Sequence, residues 1–241
     1  MILFVLVYID QKGYMMTNKL VKQKEIKGII FDLDGTLSYT LDSIAMSANL
    51  ALEAIGMKAL EIDKYRYYCG DGTNELVRRV LRDSGDEKCQ HFEELREKYL
   101  HYFSEYAEYN VRPYEGMPET ISKLKEKGLK LGVLSNKPHK QCIEVVEKLY
   151  GKGTFDYIQG YTEAIRRKPS PDGALLVAKE LGIEVSEILY VGDTATDMNT
   201  GNSAGMTTIG VLWGYRDEAE LKSANADYII KKPQGILEKL K

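Results

Sequence analysis

Hydrophobic and polar positions along this chain fall into two regimes. From about residue 113 onward, short apolar runs alternate with segments in which apolar residues recur every three or four positions, and Pro or Gly marks most of the switches. Short runs of that kind read as buried strands, and the recurring pattern as helices with one apolar face. The spacing predicts strands at Leu129–Leu134, Phe155–Ile158, Ile188–Val191, Thr207–Val211 and Tyr228–Ile230. Between them it predicts helices at Glu119–Lys127, Pro138–Tyr150, Pro171–Leu181, Asp197–Ala204 and Asp217–Ser223, then a last one at Pro233–Leu240. Pro118 stands at a helix start, while Gly128, Gly151 and Gly182 follow helix ends, as helix termini prefer. Strands alternating with helices imply an α/β fold with a doubly wound parallel sheet, a Rossmann-type core.

One further strand precedes this series. Ile29-Ile30-Phe31 runs directly into Asp32-Leu33-Asp34-Gly35-Thr36, so a buried strand ends in two carboxylates spaced i, i+2. The period of a strand aims both toward one side, and ligands of open α/β sheets bind outside the carboxyl ends of the strands. From Ser38 to Arg112 there is no convincing strand, and the residues favour helices. The expected organisation is an N-terminal extension at 1–27, a core domain from 28–37 and 113–241, and an inserted helical domain at 38–112. Within the insertion, Gly56 ends a first helix at Ala51–Ile55, and Gly70-Asp71-Gly72 marks a turn. Its tyrosines from Tyr65 to Tyr109 read mostly as packing residues.

Composition narrows the function classes. With 241 residues, 44% of them hydrophobic, the chain can bury a sizeable core. A net charge of −3 and a pI near 5.8 leave no electrostatic footprint for nucleic acid. The cysteines Cys69, Cys89 and Cys142 are odd in number and far apart, which suggests a reducing, cytoplasmic setting without a zinc site. Met1–Ile9 is apolar but shorter than the ~20 residues a membrane span needs, and no basic residue precedes it as in a signal peptide. No membrane association is expected; Met15 and Met16 offer an alternative start, and 1–23 is treated as an extension of unknown order. The protein is expected to be a monomer or a homodimer.

The chemistry sits at the strand ends. Asp32 and Asp34, if close, repel each other and need a cation, a shared proton or different roles; two aspartates beside a glycine are also ordinary turn formers. Three more polar clusters end up at the same edge: Ser135-Asn136-Lys137, Arg166-Arg167-Lys168-Pro169-Ser170-Pro171 and Gly192-Asp193-Thr194-Ala195-Thr196-Asp197. Together they suit phosphoryl transfer. Asp32 can attack phosphorus, and Asp34 can protonate a leaving group and later activate water. Asp193 and Asp197 bring oxygens for Mg²⁺, while Ser135 and Lys168 suit phosphate oxygens.

Asp32-Leu33-Asp34-Gly35-Thr36, Leu134-Ser135-Asn136-Lys137, Lys168-Pro169 and Gly192-Asp193 with Asp197 resemble the four motifs of the haloacid dehalogenase superfamily, in order, and the likeness covers nearly all of 28–241. The resemblance implies Asp32 as nucleophile and Asp34 as general acid and base. It implies Mg²⁺ at Asp32, the Asp34 carbonyl and Asp193, with Asp197 either on the metal or orienting Lys168. Ser135, Asn136 and Lys168 form the expected phosphate side, with Thr36 grouped there and steadying the loop. The helical insertion is similar to the family's C1 cap. Its Tyr68-Cys69-Gly70-Asp71-Gly72 loop resembles that of phosphoglycolate phosphatases, which places Gly70 and Gly72 near substrate and implies a small phosphorylated metabolite, 2-phosphoglycolate first.

Other readings compete. A dehalogenase would not need Asp34 and Asp193. A phosphonate hydrolase would want a cap lysine, for which only Lys58 and Lys64 offer themselves. A β-phosphoglucomutase shares core and cap but carries basic residues around the cap-loop glycine, where this chain has Cys69 and Thr73. A pyrophosphatase or nucleotidase of the same architecture stays open, and a phosphate-sensing scaffold without activity is a further reading, since fold alone never establishes function.

Overall fold

Six apolar runs pair into one sheet in the computed structural model, which describes residues 7–9, 15–17 and 25–240. They are β1 (Gly28–Phe31), β2 (Lys130–Pro138), β3 (Tyr157–Tyr161), β4 (Ile188–Gly192), β5 (Thr207–Val211) and β6 (Tyr228–Ile230). The order is β6-β5-β4-β1-β2-β3, and every neighbouring pair is parallel. The chain thus builds outward from β1 through β2 to β3, then returns to the other side of β1 with β4. That reversal between β1 and β4 is the switch point where sheets of this kind open a crevice.

Between β1 and β2 the chain leaves the sheet through a two-rung antiparallel ribbon of Ser38–Tyr39 and Arg112–Pro113. Sequence periodicity misses this ribbon because two residues are too few to carry a period. Beyond it, α1 (Leu41–Ala54), α2 (Tyr65–Tyr68), α3 (Thr73–Asp83) and α4 (Phe92–Tyr106) bury their own apolar cluster, including Ile44, Leu52, Tyr65, Val80 and Leu95. Gly56, with φ +77°, follows α1 as expected.

The remaining helices flank the sheet. α5 (Met117–Glu126) and α6 (His139–Tyr150) cover the face that carries Ile29, Phe31, Leu131 and Val133. α7 (Asp172–Leu181) covers the opposite face, against Ile30, Leu134 and Tyr190. Alternate residues of β1 therefore serve opposite cores, and a strand buried on both faces reads as an unbroken apolar run. α8 (Ala195–Ser203) and α9 (Glu218–Ser223) close the β4 to β6 side through Met198 and Leu221.

Four expectations shift. The second strand runs on to Pro138, which carries Ser135, Asn136 and Lys137 on the strand itself. The third begins at Tyr157 rather than Phe155, whose ring instead packs edge-on against Phe31 and Tyr150. α8 starts two residues early because Thr194 caps it. Pro233–Lys239 forms a 3-10 helix rather than an α-helix. Within the expected extension, Val7–Ile9 pairs antiparallel with Met15–Thr17, and the rest of 1–24 lies outside the described residues. Among the described residues, no helix is long and apolar enough to cross a membrane.

Gly132 in β2 shows how closely the layers meet. A Cβ there would lie 2.5 Å from Cγ1 of Val177 in α7, and a β-branched side chain has little freedom to turn away. Gly132→Ala should therefore lower stability by about 1–3 kcal/mol, read as a shifted midpoint in urea denaturation; an unchanged midpoint would show that the layers can part without cost.

Candidate active site

β1 delivers Asp32 to the switch point, and β4 delivers Asp193 beside it. Gly35 makes the approach possible: its φ is +90°, and a Cβ there would sit 2.3 Å from Oδ2 of Asp193. Asp193 accepts hydrogen bonds from the Thr36 hydroxyl (3.0 Å) and the Tyr215 backbone N–H (2.7 Å). One turn on, Thr194 and Asp197 form a capping box at the start of α8. Asp197 Oδ2 accepts from the Thr194 backbone N–H (3.1 Å) and hydroxyl (2.6 Å), while Oδ1 accepts from Lys168 (2.7 Å). Lys168 also donates to Asp32 Oδ1 at 2.6 Å. One oxygen each of Asp32, Asp193 and Asp197 lie within 4.8 Å of one another, and all three residues are buried.

The charges in this cluster do not balance. Burial pushes the Asp32 carboxyl well above its ordinary value; Lys168 opposes that, and Asp197, Asp193 and Asp34 reinforce it. Burial together with Asp197 pushes Asp193 up to about 7. Burial alone would lower Lys168, but Asp197 and Asp32 outweigh it and hold the ammonium well above the usual lysine range. Three carboxylates face one cation. An all-oxygen donor set with surplus negative charge suits a hard divalent cation, so the cluster can hold a metal ion.

Next to this cluster lies a cleft between sheet edge and insertion, enclosing about 480 Å³ with its mouth included. Asp32, Asp34, Ser135, Gly70 and Gly72 all line it. Ser135 Oγ accepts the Lys137 backbone N–H at 3.2 Å, which leaves its O–H to donate. Asp34 pairs with Lys137, Nζ to Oδ1 2.9 Å.

Two expected phosphate-side residues do other work. Thr36 is fully buried and spends its hydroxyl on Asp193; it does not line the cleft. Asn136 borders the cleft, but its amide is fully engaged. It donates to the carbonyls of Gly70 (2.9 Å) and Lys168 (3.1 Å) and accepts the Lys168 N–H (3.0 Å). It ties the insertion's loop to the Lys168 loop.

The family model for haloacid dehalogenase-like hydrolases matches residues 29–211. The chain belongs to that family. It is 34% identical over 213 residues to the phosphoglycolate phosphatase of Aquifex aeolicus, covering 87% of this chain and 94% of the relative. It is 33% identical over 224 residues to that of Neisseria meningitidis serogroup A, covering 90% and 94%. Its fold is similar to a Lactobacillus delbrueckii subsp. bulgaricus protein crystallised as a candidate phosphoglycolate phosphatase, with a TM-score of 0.85, 27% identity, and 90% and 99% of the two chains covered. The parallel α/β fold expected from the sequence is thereby borne out, and this haloacid dehalogenase-like hydrolase is a phosphatase.

Other expectations for this hydrolase can be read off the same geometry. Lys58 is exposed and Lys64 pairs with Asp83 on the surface, so neither supplies the cap lysine of a phosphonate hydrolase. Cys69 lines the cleft, but burial drives its thiol pKa far up, which disfavours a thiolate nucleophile. Sequence reasoning passed over the loop after β5. There Tyr215 binds Asp193 and the Trp213 indole donates to the Thr36 carbonyl at 2.9 Å. Arg216 donates to the carbonyls of Arg66 and, at 2.9 Å, Cys69, while Arg66 donates back to that of Gly214 at 2.7 Å. The strand-end rule applied to the fifth strand would have found this loop. Asn136→Ala orphans the Lys168 N–H and two carbonyls, so it should cost about 1–3 kcal/mol of stability; chemical denaturation with an unchanged midpoint would contradict the tie.

Proposed function

We propose that this phosphatase acts on a small phosphorylated metabolite, 2-phosphoglycolate first, and does so with Mg²⁺ in a cytoplasmic setting. The observation that carries the reading is the buried cluster at the switch point, where Asp32 sits beside one ammonium and two further carboxylates and opens on a cleft that also holds Asp34. The relatives named phosphoglycolate phosphatases support the substrate. The free cysteines support the compartment. A monomer or a homodimer is the expected assembly.

The mechanism is an in-line displacement in two halves. Asp32 attacks phosphorus, forming an Asp–O–P bond as the bond from phosphorus to the alcohol oxygen breaks, and Asp34 gives its proton to the departing oxygen. Water then attacks the same phosphorus while Asp34 takes a proton from it; the Asp–O–P bond breaks, and the Asp32 carboxylate returns with release of phosphate. Lys168 and the Ser135 hydroxyl hold the phosphoryl oxygens throughout. When bound by Asp32, the Asp34 carbonyl and Asp193, Mg²⁺ supplies the positive charge that lets an anionic nucleophile approach an anionic phosphoryl group. Asp197, already paired with Lys168, is better read as orienting that lysine than as a metal ligand. Asp193 forms no salt bridge among the described residues and feels only the more distant Arg216 charge, which supports it as a ligand.

Residues 38–112 act in this reading as the cap over a core of 28–37 and 113–241, excluding water from the reacting centre. Gly70 and Gly72 supply close-fitting backbone at the cleft wall, and the flanking Cys69 and Thr73 bring no cation. That supports water rather than a sugar as the final acceptor.

Phosphate release should be followed with and without Mg²⁺ on 2-phosphoglycolate, β-glucose 1-phosphate, pyrophosphate, phosphoserine and nucleoside monophosphates. The expected result is Mg²⁺-dependent turnover with the highest kcat/KM on 2-phosphoglycolate. Asp32→Asn should lower kcat at least about a thousandfold while keeping the wild-type circular dichroism spectrum; an active Asn variant would remove Asp32 as nucleophile. A second prediction concerns stability. Without a cation, Asp193 titrates near 7 in the fold against an ordinary value of 3.8. The stability it contributes is full below about pH 4 and is lost as pH rises through 7, because the fold then holds a proton the unfolded chain has released. Mg²⁺ should therefore raise the melting temperature more at pH 8 than at pH 5, and equal shifts would argue against binding at this cluster.

A further inference from the structure

Lys137 is a buried lysine inside the cleft with no part in the scheme above. Its side chain is 2% exposed, and it is the one cationic side chain lining the cleft among the described residues. Its Nζ lies 2.9 Å from Asp34 Oδ1 and 4.7 Å from the ring centre of Phe103 in α4. Lys168 serves the phosphoryl side, held between Asp32 and Asp197. Lys137 instead pairs with Asp34, the residue that in this reading meets the leaving alcohol.

We propose that Lys137 is a specificity residue that binds an anionic group on the leaving alcohol, with Asp34 as its placeholder when no substrate is present. This rests on the phosphatase reading and names the substrate class more closely: phosphate monoesters whose alcohol carries a carboxylate next to the ester carbon. Asp34 must stand within hydrogen-bond reach of the leaving oxygen. Lys137 Nζ is one hydrogen bond from Asp34 Oδ1, so it lies within about 6 Å of a leaving oxygen that meets the same carboxylate oxygen, two hydrogen bonds end to end. A carboxylate one carbon removed falls inside that reach. An ammonium has three donors, of which Asp34 takes one. Because Asp34 carries the proton it gives to the leaving oxygen, it is neutral at that stage and leaves Lys137 a buried cation short of an anion, which is costly; the substrate carboxylate fills the gap. The other groups on the insertion's side of the cleft, Cys69, Leu76, Tyr99 and Phe103, carry no charge to do so.

The test compares 2-phosphoglycolate with 2-hydroxyethyl phosphate, which replaces the carboxylate by a neutral alcohol, in the wild type and in Lys137→Met. The wild type should prefer the carboxylated ester by about 100-fold in kcat/KM. In Lys137→Met that ratio should fall at least about tenfold, mainly through a raised KM for 2-phosphoglycolate. Equal losses on both esters would overturn the proposal, since Lys137 would then act only through Asp34. The wild-type comparison decides independently of how the variant folds: hydrolysis of both esters with equal kcat/KM overturns the specificity role and leaves the phosphatase reading standing. Hydrolysis of neither ester, together with none in the wider substrate panel, overturns both.

Discussion

Excess negative charge buried at one sheet edge is the constraint on which the rest of this protein turns. Asp32, Asp193 and Asp197 converge there, and among the described residues Lys168 is the one cation that forms salt bridges within the cluster. Burying unpaired carboxylates is unfavourable, and the surroundings offset part of the cost with donors that carry no charge. The Thr36 hydroxyl and Tyr215 N–H serve Asp193, and the Thr194 cap serves Asp197. What remains uncompensated is a demand for positive charge of the kind that a hard divalent cation would meet.

That cluster also explains the glycines and the loop beyond β5. Carboxylates this close to the backbone need neighbours without side chains, and Gly35 and Gly214 both abut Asp193. The Trp213 to Arg216 loop then does two things with consecutive residues. Tyr215 grips Asp193, and Arg216 grips the carbonyls of the insertion's Arg66 and Cys69. Asn136 makes a parallel connection from the phosphate side, through the Gly70 carbonyl to the Lys168 loop. Asp71 adds a third, accepting from Thr196 at the start of α8 at 2.6 Å. The insertion is therefore fastened to the same strand-end loops that carry the charge cluster.

Much of this was legible in the chain before any coordinates. The alternation of apolar runs with helical periods, the glycines after helix ends, and the polar clusters following Phe31, Leu134 and Val191 are local patterns, set by the backbone geometry of strands and helices over a few residues. They determine by themselves an α/β fold, a parallel sheet, and a polar edge that carries Asp32, Asp34, Ser135, Lys168, Asp193 and Asp197. What only the tertiary structure decided is which of those groups face one another. Thr36 meets Asp193 across 157 positions and Lys137 meets Asp34 across 103, while Asn136 meets the Gly70 carbonyl across 66. A side chain's role at such a site is fixed by which charge or donor lies within about 3 Å, and sequence spacing carries no information about neighbours brought together by the packing of separate elements.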